Sequence, residues 1–284
     1  MKNFVLIVLL LLFVLNIIAW FFVFDLNQHR FLEVSFFDIG QGDAIFIETR
    51  QSHQVLIDGG PGSAVLEKLG KEMPFWDRTI DLIVLTHPEH DHYGGLIEVL
   101  KRYKIENILW TGVYRDTAEY QEWQDLLLKE GARIFIAPDI QRVTVSGAMF
   151  DVLFPFENFE GKTVKNVNDT SLVAKLVFGG NSFLFTGDIC KPVEKELLEK
   201  ETDLDSDFLK VGHHGSKTSS GEEFVAAVSP QVAVIQCGRD NPYGHPHPQT
   251  LETLEKYGIK VLRTDKEGDI KIISNGKEYA ISYF

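Results

Sequence analysis

Between Leu85 and Gly95 the chain reads L-T-H-P-E-H-D-H-Y-G-G, and five of these side chains, His87, Glu89, His90, Asp91 and His92, carry metal-binding atoms within six positions. The stretch directly follows the apolar run I-D-L-I-V-L. His87, Glu89, Asp91 and His92 therefore fall at i, i+2, i+4 and i+5 of a loop leaving a buried strand, where side chains can converge free of helical constraint. Strand ends of this kind commonly carry function. A divalent ion held there lowers the pKa of bound water toward neutrality, which is the chemistry of hydrolysis.

Other polar clusters follow strand-like runs in the same way: V-L-I-D-G-G at 55–60, N-D-T-S at 168–171, F-L-F-T-G-D at 183–188 and F-L-K-V-G-H-H-G-S at 208–216, with Y-G-H-P-H-P at 243–248. Alone, each reads equally as a turn or a hydrogen-bonded core histidine. Together they offer the additional carboxylate and the distant histidine that the first cluster lacks. In D-I-G-Q-G-D, Gly40 and Gly42 suit a tight turn or a close backbone approach to a ligand, and Asp43 either reaches the metal shell or belongs to a plain hairpin turn. Lys210, Lys217 and Arg239 accompany these motifs and supply a local positive field, or else are ordinary solvated charges.

The elements that must position these residues follow from the apolar pattern. Strands are expected at 33–39, 44–48, 54–58, 81–85, 107–110, 133–136, 148–154, 171–178, 182–187, 206–211, 231–236 and 260–263, and as a pair within 268–282 around Asn275-Gly276. Helical patterns occupy 63–70, 94–104, 117–130, 191–200, 221–228 and 248–257. Strand hairpins at both ends with helices between them point to an α/β (α+β) chain of two sheets with helices packed outside. With 284 residues, 44% of them hydrophobic, the chain can bury a substantial core. A net charge of −13 argues against sequence-independent adhesion to nucleic acid, so a polyanion must be met locally. The two cysteines, Cys190 and Cys237, have no partner at zinc-site spacing and are read as free thiols.

Phe4 to Phe24 is apolar apart from Asn16, long enough to cross a bilayer. It exceeds the usual signal-peptide core of ~7–15 residues, and no small-x-small cleavage site precedes Asp25, so residues 1–24 are expected to be a retained anchor and 25–30 a linker. Lys2 and the α-amine on one side against Arg30 on the other point to a cytoplasmic N-terminus. The domain expected at 31–284 then faces outward, an extracytoplasmic hydrolase domain on a single-pass membrane protein.

The order I-D-G-G, T-H-x-x-x-D-H-x-G-G, T-G-D and H-H-G-S resembles the metallo-β-lactamase superfamily of metallohydrolases over residues 33–284. D-I-G-Q-G-D-A, N-D-T-S-L-V, H-H-G-S-K-T-S-S and Y-G-H-P-H-P resemble more specifically the hydrolase domain of the competence DNA-uptake family ComEC/Rec2. The resemblance implies an αββα sandwich with a metal site at one edge, holding one or two divalent ions, and hydrolysis of DNA phosphodiesters.

Residue by residue, it implies metal ligation by His87, Glu89, Asp91, His92, Asp188 and His213, with Asp188 bridging and His214 as the alternative to His213. Glu89 stands where the family has a second histidine, with His90 displaced by one position, and Asn168-Asp169 stands where it has a lone histidine. Both departures fall on one metal position, while Asp91, His92, Asp188 and His213 complete the other. Carboxylate in place of imidazole moves preference from Zn²⁺ toward Mn²⁺ or Mg²⁺. Asp58 is expected to orient a ligand, Asp91 to serve catalysis, and His245 to bind phosphate or protonate the leaving oxygen. His214, Ser216, Lys217, Asn168, Asp169 and His245 form the expected substrate side.

The leading reading is a membrane-anchored nuclease related to DNA uptake, working beside a separate channel protein because this chain has one apolar span. The alternatives are a cell-surface phosphodiesterase acting on wall polymers such as choline-bearing teichoic acid, and a binding domain whose metal site has decayed.

Overall fold

The computed structural model describes residues 2–26 and 31–284. In chain order its elements are α1 (Lys2–Leu26), β1 (Leu32–Phe36), β2 (Ile45–Glu48), β3 (Gln54–Ile57), α2 (Ala64–Glu72), β4 (Thr79–Leu85), α3 (His90–Leu100), β5 (Lys104–Trp110), α4 (Ala118–Glu130), β6 (Arg133–Ile136), β7 (Arg142–Val145) and β8 (Ala148–Phe154). There follow β9 (Val173–Phe178), β10 (Asn181–Phe185), α5 (Lys191–Glu199), β11 (Phe208–Lys210), α6 (Glu222–Val228), β12 (Val232–Ile235), α7 (Pro248–Lys256), β13 (Lys260–Arg263), α8 (Thr264–Glu267), β14 (Ile270–Ser274) and β15 (Tyr279–Tyr283). Of the expected linker, Asp25 and Leu26 belong to α1, and 27–30 lie outside the described residues.

The strands form two sheets, β15-β14-β1-β2-β3-β4-β5-β6 and β13-β12-β11-β10-β9-β8-β7. The β3 and β4 residues are buried along nearly their whole length because each strand is covered on both faces, as expected for parallel strands with helical crossovers. Their alternating side chains feed two cores. Ile57, Val84 and Leu109 point between the sheets and meet Phe150, Phe185 and Phe208. Leu56, Ile83 and Ile108 point outward beneath α2, α3 and α4, where Trp123 is fully buried. On the other side Leu184, Leu209 and Ala233 pack under α5, α6 and α7. The layers are therefore helix, sheet, sheet, helix.

Two local departures from the sequence reading have simple causes. Strand β7 is a short edge strand, R-V-T-V, whose alternate residues are exposed, so it contains no apolar run to mark it. Helix α3 starts at His90 rather than near residue 94: Glu89 sits extended at its N-cap, and its carbonyl accepts from the amides of His92 and Tyr93. Asp91 and His92 thus occupy a first helical turn, not a free loop, and an acidic side chain is favoured there.

Parallel pairing runs through β3-β4-β5-β6 in one sheet and β10-β11-β12-β13 in the other. All these strands consequently end at the same edge of the sandwich, where a ligand crevice is expected.

Candidate metal centre

Strand β3 delivers Asp58 in a left-handed conformation, φ 56°, just past its last residue. The strained backbone lets the carboxylate turn back under β4. There it accepts hydrogen bonds from the Thr86 amide (2.8 Å) and hydroxyl (2.7 Å), and faces His92 Nδ1 at 2.8 Å. The Thr86 hydroxyl donates its one hydrogen bond to Asp58, so its lone pair accepts from His87 Nδ1 at 3.0 Å. One carboxylate therefore sets both rings, His92 directly and His87 through Thr86. Each ring's Nε2 is left as the free donor atom, an arrangement typical of metal-binding histidines.

Close glycine contacts make this possible. A Cβ on Gly95 would lie 1.9 Å from the Gly59 carbonyl oxygen, so only glycine lets the start of α3 approach the Asp58 turn this closely. The D-I-G-Q-G-D loop packs on the same helix start: the Asp43 amide donates to the Asp91 carbonyl, and a Cβ on Gly42 would meet that oxygen at 2.2 Å. Gln236 secures the loop from the second sheet by donating to the carbonyls of Phe37 and Ala44.

The second sheet brings Asp188 after β10 and a tight turn over 212–215 after β11. Both His213 (φ 48°) and His214 (φ 54°) are left-handed there, a costly geometry for side-chain-bearing residues and one concentrated at functional sites. The two consecutive residues diverge. His214 enters the core, with Nδ1 donating to the Gln236 carbonyl at 3.0 Å and lying 3.2 Å from Asp43 Oδ1. Its Nε2 is 3.3 Å from both Asp91 Oδ2 and Asp188 Oδ2. His213 stays at the mouth between the Asn168 amide and the Thr218 hydroxyl, and its Nε2 is 3.9 Å from Asp188. The histidine inside the cluster is thus His214, which sequence reasoning held as the alternative, and not His213. The turn directs the second ring inward and the first outward.

The ligand atoms of Asp91, His92 and His214 lie within 4.8 Å of one another, and so do those of His87, His92 and Asp188. Buried Nε2 atoms of His87, His92 and His214, with Asp188 Oδ1, have no hydrogen-bond partner. Orphaned buried polar atoms are expensive; four converging ones with the donor chemistry of a divalent cation site fit such an ion.

The electrostatics agree. Burial opposes charge on His92 and His214, yet Asp188 with Asp58 or Asp43 overrides it, and both rings are held well above the usual imidazole range. Burial likewise opposes ionisation of Asp188, but the same two histidines hold it well below the carboxylate range. His87, with burial and the neighbouring His92 both against its charge, is pushed down to about 3 and is neutral.

Several expected residues are placed differently. Glu89 is paired with Arg115 at 3.3 Å and joins neither ligand group, because its N-cap position turns it toward α4. His90 is exposed and paired with Glu119. Asp169 accepts from Asn166 and the Cys190 amide, and the Ser216 hydroxyl bonds Thr218, so both serve local turns. Lys210 supplies no surface field: it is buried in an ion pair with Asp43, 3.8 Å from Asp188. An apolar residue run hid that role. Lys217 and Arg239 are exposed. His245 faces the mouth, its ring 5.6 Å from that of His213 and 5.7 Å from that of the exposed Tyr243; burial, then His214, pushes it down to about 4. Cys190 and Cys237 are free.

Just behind the histidine turn, Glu194 on α5 accepts from the amides of Ser220 and Gly221 and secures the segment that follows it. Sequence inspection had no signal for this residue.

A model of the metallo-beta-lactamase superfamily matches residues 37–239. Among curated proteins, the chain is 34% identical to ComE operon protein 3 of Bacillus subtilis (strain 168), over 84% of this chain and 32% of that protein. It is 29% identical to Recombination protein 2 of Haemophilus influenzae, over 84% of this chain and 28% of that one. The chain therefore spans about a third of the length of these relatives. Among solved structures, the metallo-beta-lactamase fold protein YhfI from Bacillus subtilis has a TM-score of 0.54 at 12% identity, covering 81% of this chain and 96% of that one. Igni18, a metallo hydrolase from Ignicoccus hospitalis, has a TM-score of 0.53 at 17% identity, covering 89% and 99%. At these identities the structural likeness bears on the fold alone.

Proposed function

Because the chain belongs to the metallo-β-lactamase superfamily of metal-dependent hydrolases, we propose that it is a membrane-anchored phosphodiesterase that cleaves DNA outside the cytoplasm. The observation that carries the hydrolytic reading is the convergence of Asp91, His92 and His214, and of Asp188 with these histidines in overlapping groups, with the histidine Nε2 atoms unpartnered. These four residues would hold one ion fully; His87, sharing Asp188, would hold a second more weakly, since Glu89 is engaged by Arg115. With Glu89 withdrawn, that weaker position loses the carboxylate that would have favoured Mn²⁺ over Zn²⁺ there. When bound, such ions supply activated water at neutral pH and charge stabilisation at phosphorus.

The chain's own residues do the rest. Asp58 and Asp43 hold the imidazoles in place. His245, neutral because burial depresses it, accepts at Nδ1 from the Gln41 amide and offers its Nε2–H at the mouth to a phosphoryl oxygen, while His213 is held between Asn168 and Thr218 beside it. Tyr243 presents a ring face on which a base can stack, and Lys217 and Arg239 can meet phosphates. The name of one relative, a recombination protein, supports DNA as the substrate. The apolar, unburied stretch Asn3–Trp20 supports an anchor in the cell membrane.

The test compares the detergent-solubilised chain, loaded with Mn²⁺ or Zn²⁺, on labelled single-stranded DNA, duplex DNA and a choline phosphodiester. Cleavage of DNA, lost about 10³-fold in Asp188→Asn, is expected; that is about 4 kcal/mol of transition-state stabilisation. Cleavage of the choline ester without any cut in DNA would replace the nuclease with a wall-polymer enzyme. Absence of bound metal would favour a binding domain.

A further inference from the structure

Phe75 and Trp76 are 81% and 73% exposed, the most exposed adjacent aromatics outside α1, and their rings pack edge to face at 4.8 Å. They sit on the loop between α2 and β4. That loop is not slack. Met73 before it is buried, the Asp77 amide donates to the Pro74 carbonyl, and the Asp77 carboxylate accepts from Gln54 Nε2 and the Thr79 amide. A fixed backbone therefore holds two large apolar rings out into solvent, where they gain nothing for the fold.

Topology states which way they point. β1 is antiparallel to β2, β2 antiparallel to β3, and β3 parallel to β4, so β1 and β4 begin at the same end of the sandwich. That end is opposite the metal centre, which gathers where β3 and β4 finish. Lys271 ties the start of β1 to the end of α2, from which the Phe75-Trp76 loop leaves, by pairing with Glu33 and Glu72. Only residues 27–31 separate α1 from β1, a reach of at most about 20 Å. β1 and β4 are three strands apart, about 15 Å.

We propose that Phe75 and Trp76 insert into the headgroup region of the same bilayer that α1 crosses, making a second contact that fixes the domain upright with its metal centre turned away from the lipid. This rests on the reading of α1 as a membrane span. The occupant is lipid rather than a protein groove because the pair projects as a convex tip and the apolar span is tethered to the same end. Aromatic side chains are moreover enriched at the level of the headgroups.

The experiment uses the full chain reconstituted into vesicles of phosphatidylethanolamine and phosphatidylglycerol, with or without acyl chains brominated close to the headgroup. Trp110 and Trp123 are buried within the domain. Trp20→Phe therefore makes Trp76 the exposed reporter, and Trp76→Phe makes Trp20 the reporter of the span. Quenching of both reporters by the brominated lipid, with a blue shift of Trp76 emission on reconstitution, is the expected result. Quenching of Trp20 with Trp76 unquenched and unshifted overturns the docking while leaving the span intact. Quenching of neither overturns both. Phe75→Ser combined with Trp76→Ser should keep the circular dichroism and melting temperature of wild type; a collapse of the fold would assign the pair to stability and overturn the proposal.

Discussion

His92 Nδ1 lies 2.8 Å from Asp58 Oδ2, and neither atom is accessible to solvent. The carboxylate is thus committed to orienting imidazole rather than to touching substrate. Burial raises the pKa of Asp58, with His92 acting in the opposite direction. A metal on the far nitrogen of His92 would draw on this pair.

Asp58→Asn keeps the size and the hydrogen bond from the Thr86 amide but removes the charge facing His92 and Thr86. Metal affinity is expected to fall about 10–100-fold, with the fold retained. Titration of the apoprotein with Mn²⁺ followed by calorimetry checks it; unchanged affinity would assign Asp58 to the turn alone.

The adjacent histidines separate by role. His214→Ala should cost more in metal affinity than the roughly 100-fold typical of losing an outer hydrogen-bond partner. His213→Ala should keep the metal content and change turnover. Metal analysis of the two purified variants decides, and the reverse result would return His213 to the ligand set.

Glu194 has its carboxyl pushed up to about 7 by burial, against the two backbone amides that hold it down. A folded-state pKa above the unfolded one means the folded chain binds more protons between about 4.5 and 7. The associated stability is fully present below the lower value and lost as pH rises through the upper one. The loss amounts to at most about 3 kcal/mol. Glu194→Gln keeps an acceptor for Ser220 and Gly221 without the titration, so urea midpoints measured from pH 5 to 8 should fall more steeply for wild type than for this variant.

Gly95→Ala forces α3 away from the Asp58 turn, since the new Cβ would overlap the Gly59 carbonyl oxygen. A loss of about 1–3 kcal/mol is expected, accompanied by weaker metal binding because His92 moves with the helix. Denaturant unfolding and metal titration on one preparation test both parts.

The strands and helices that bury long apolar runs were legible because each needs a covered face, and that need is written locally. β7 was not, since an edge strand buries little. The start of α3 was missed because His90, Asp91 and His92 carry no helical apolar period, and a backbone cap made at Glu89 decides the boundary. His213 and His214 are indistinguishable as letters; the left-handed turn between β11 and α6 separates them. Lys210 followed the habit that a lysine among site motifs faces substrate, whereas Asp43, distant in sequence, draws it inside. Glu194 acts through backbone amides, which have no letter at all.

Strand β1 is flanked by β2 on one side and by β14 on the other, with Leu32 opposite Ser274. The first strand of the sandwich therefore waits for nearly the last before its sheet is complete. Contacts this distant in sequence are slow to form, and a ribosome cannot deliver the two strands together. The half-built chain holds Asp58, His87, Asp91 and His92 without Asp188 or His214, a donor set too sparse to retain an ion tightly. The full donor set is therefore gathered only once residues from both sheets are in place.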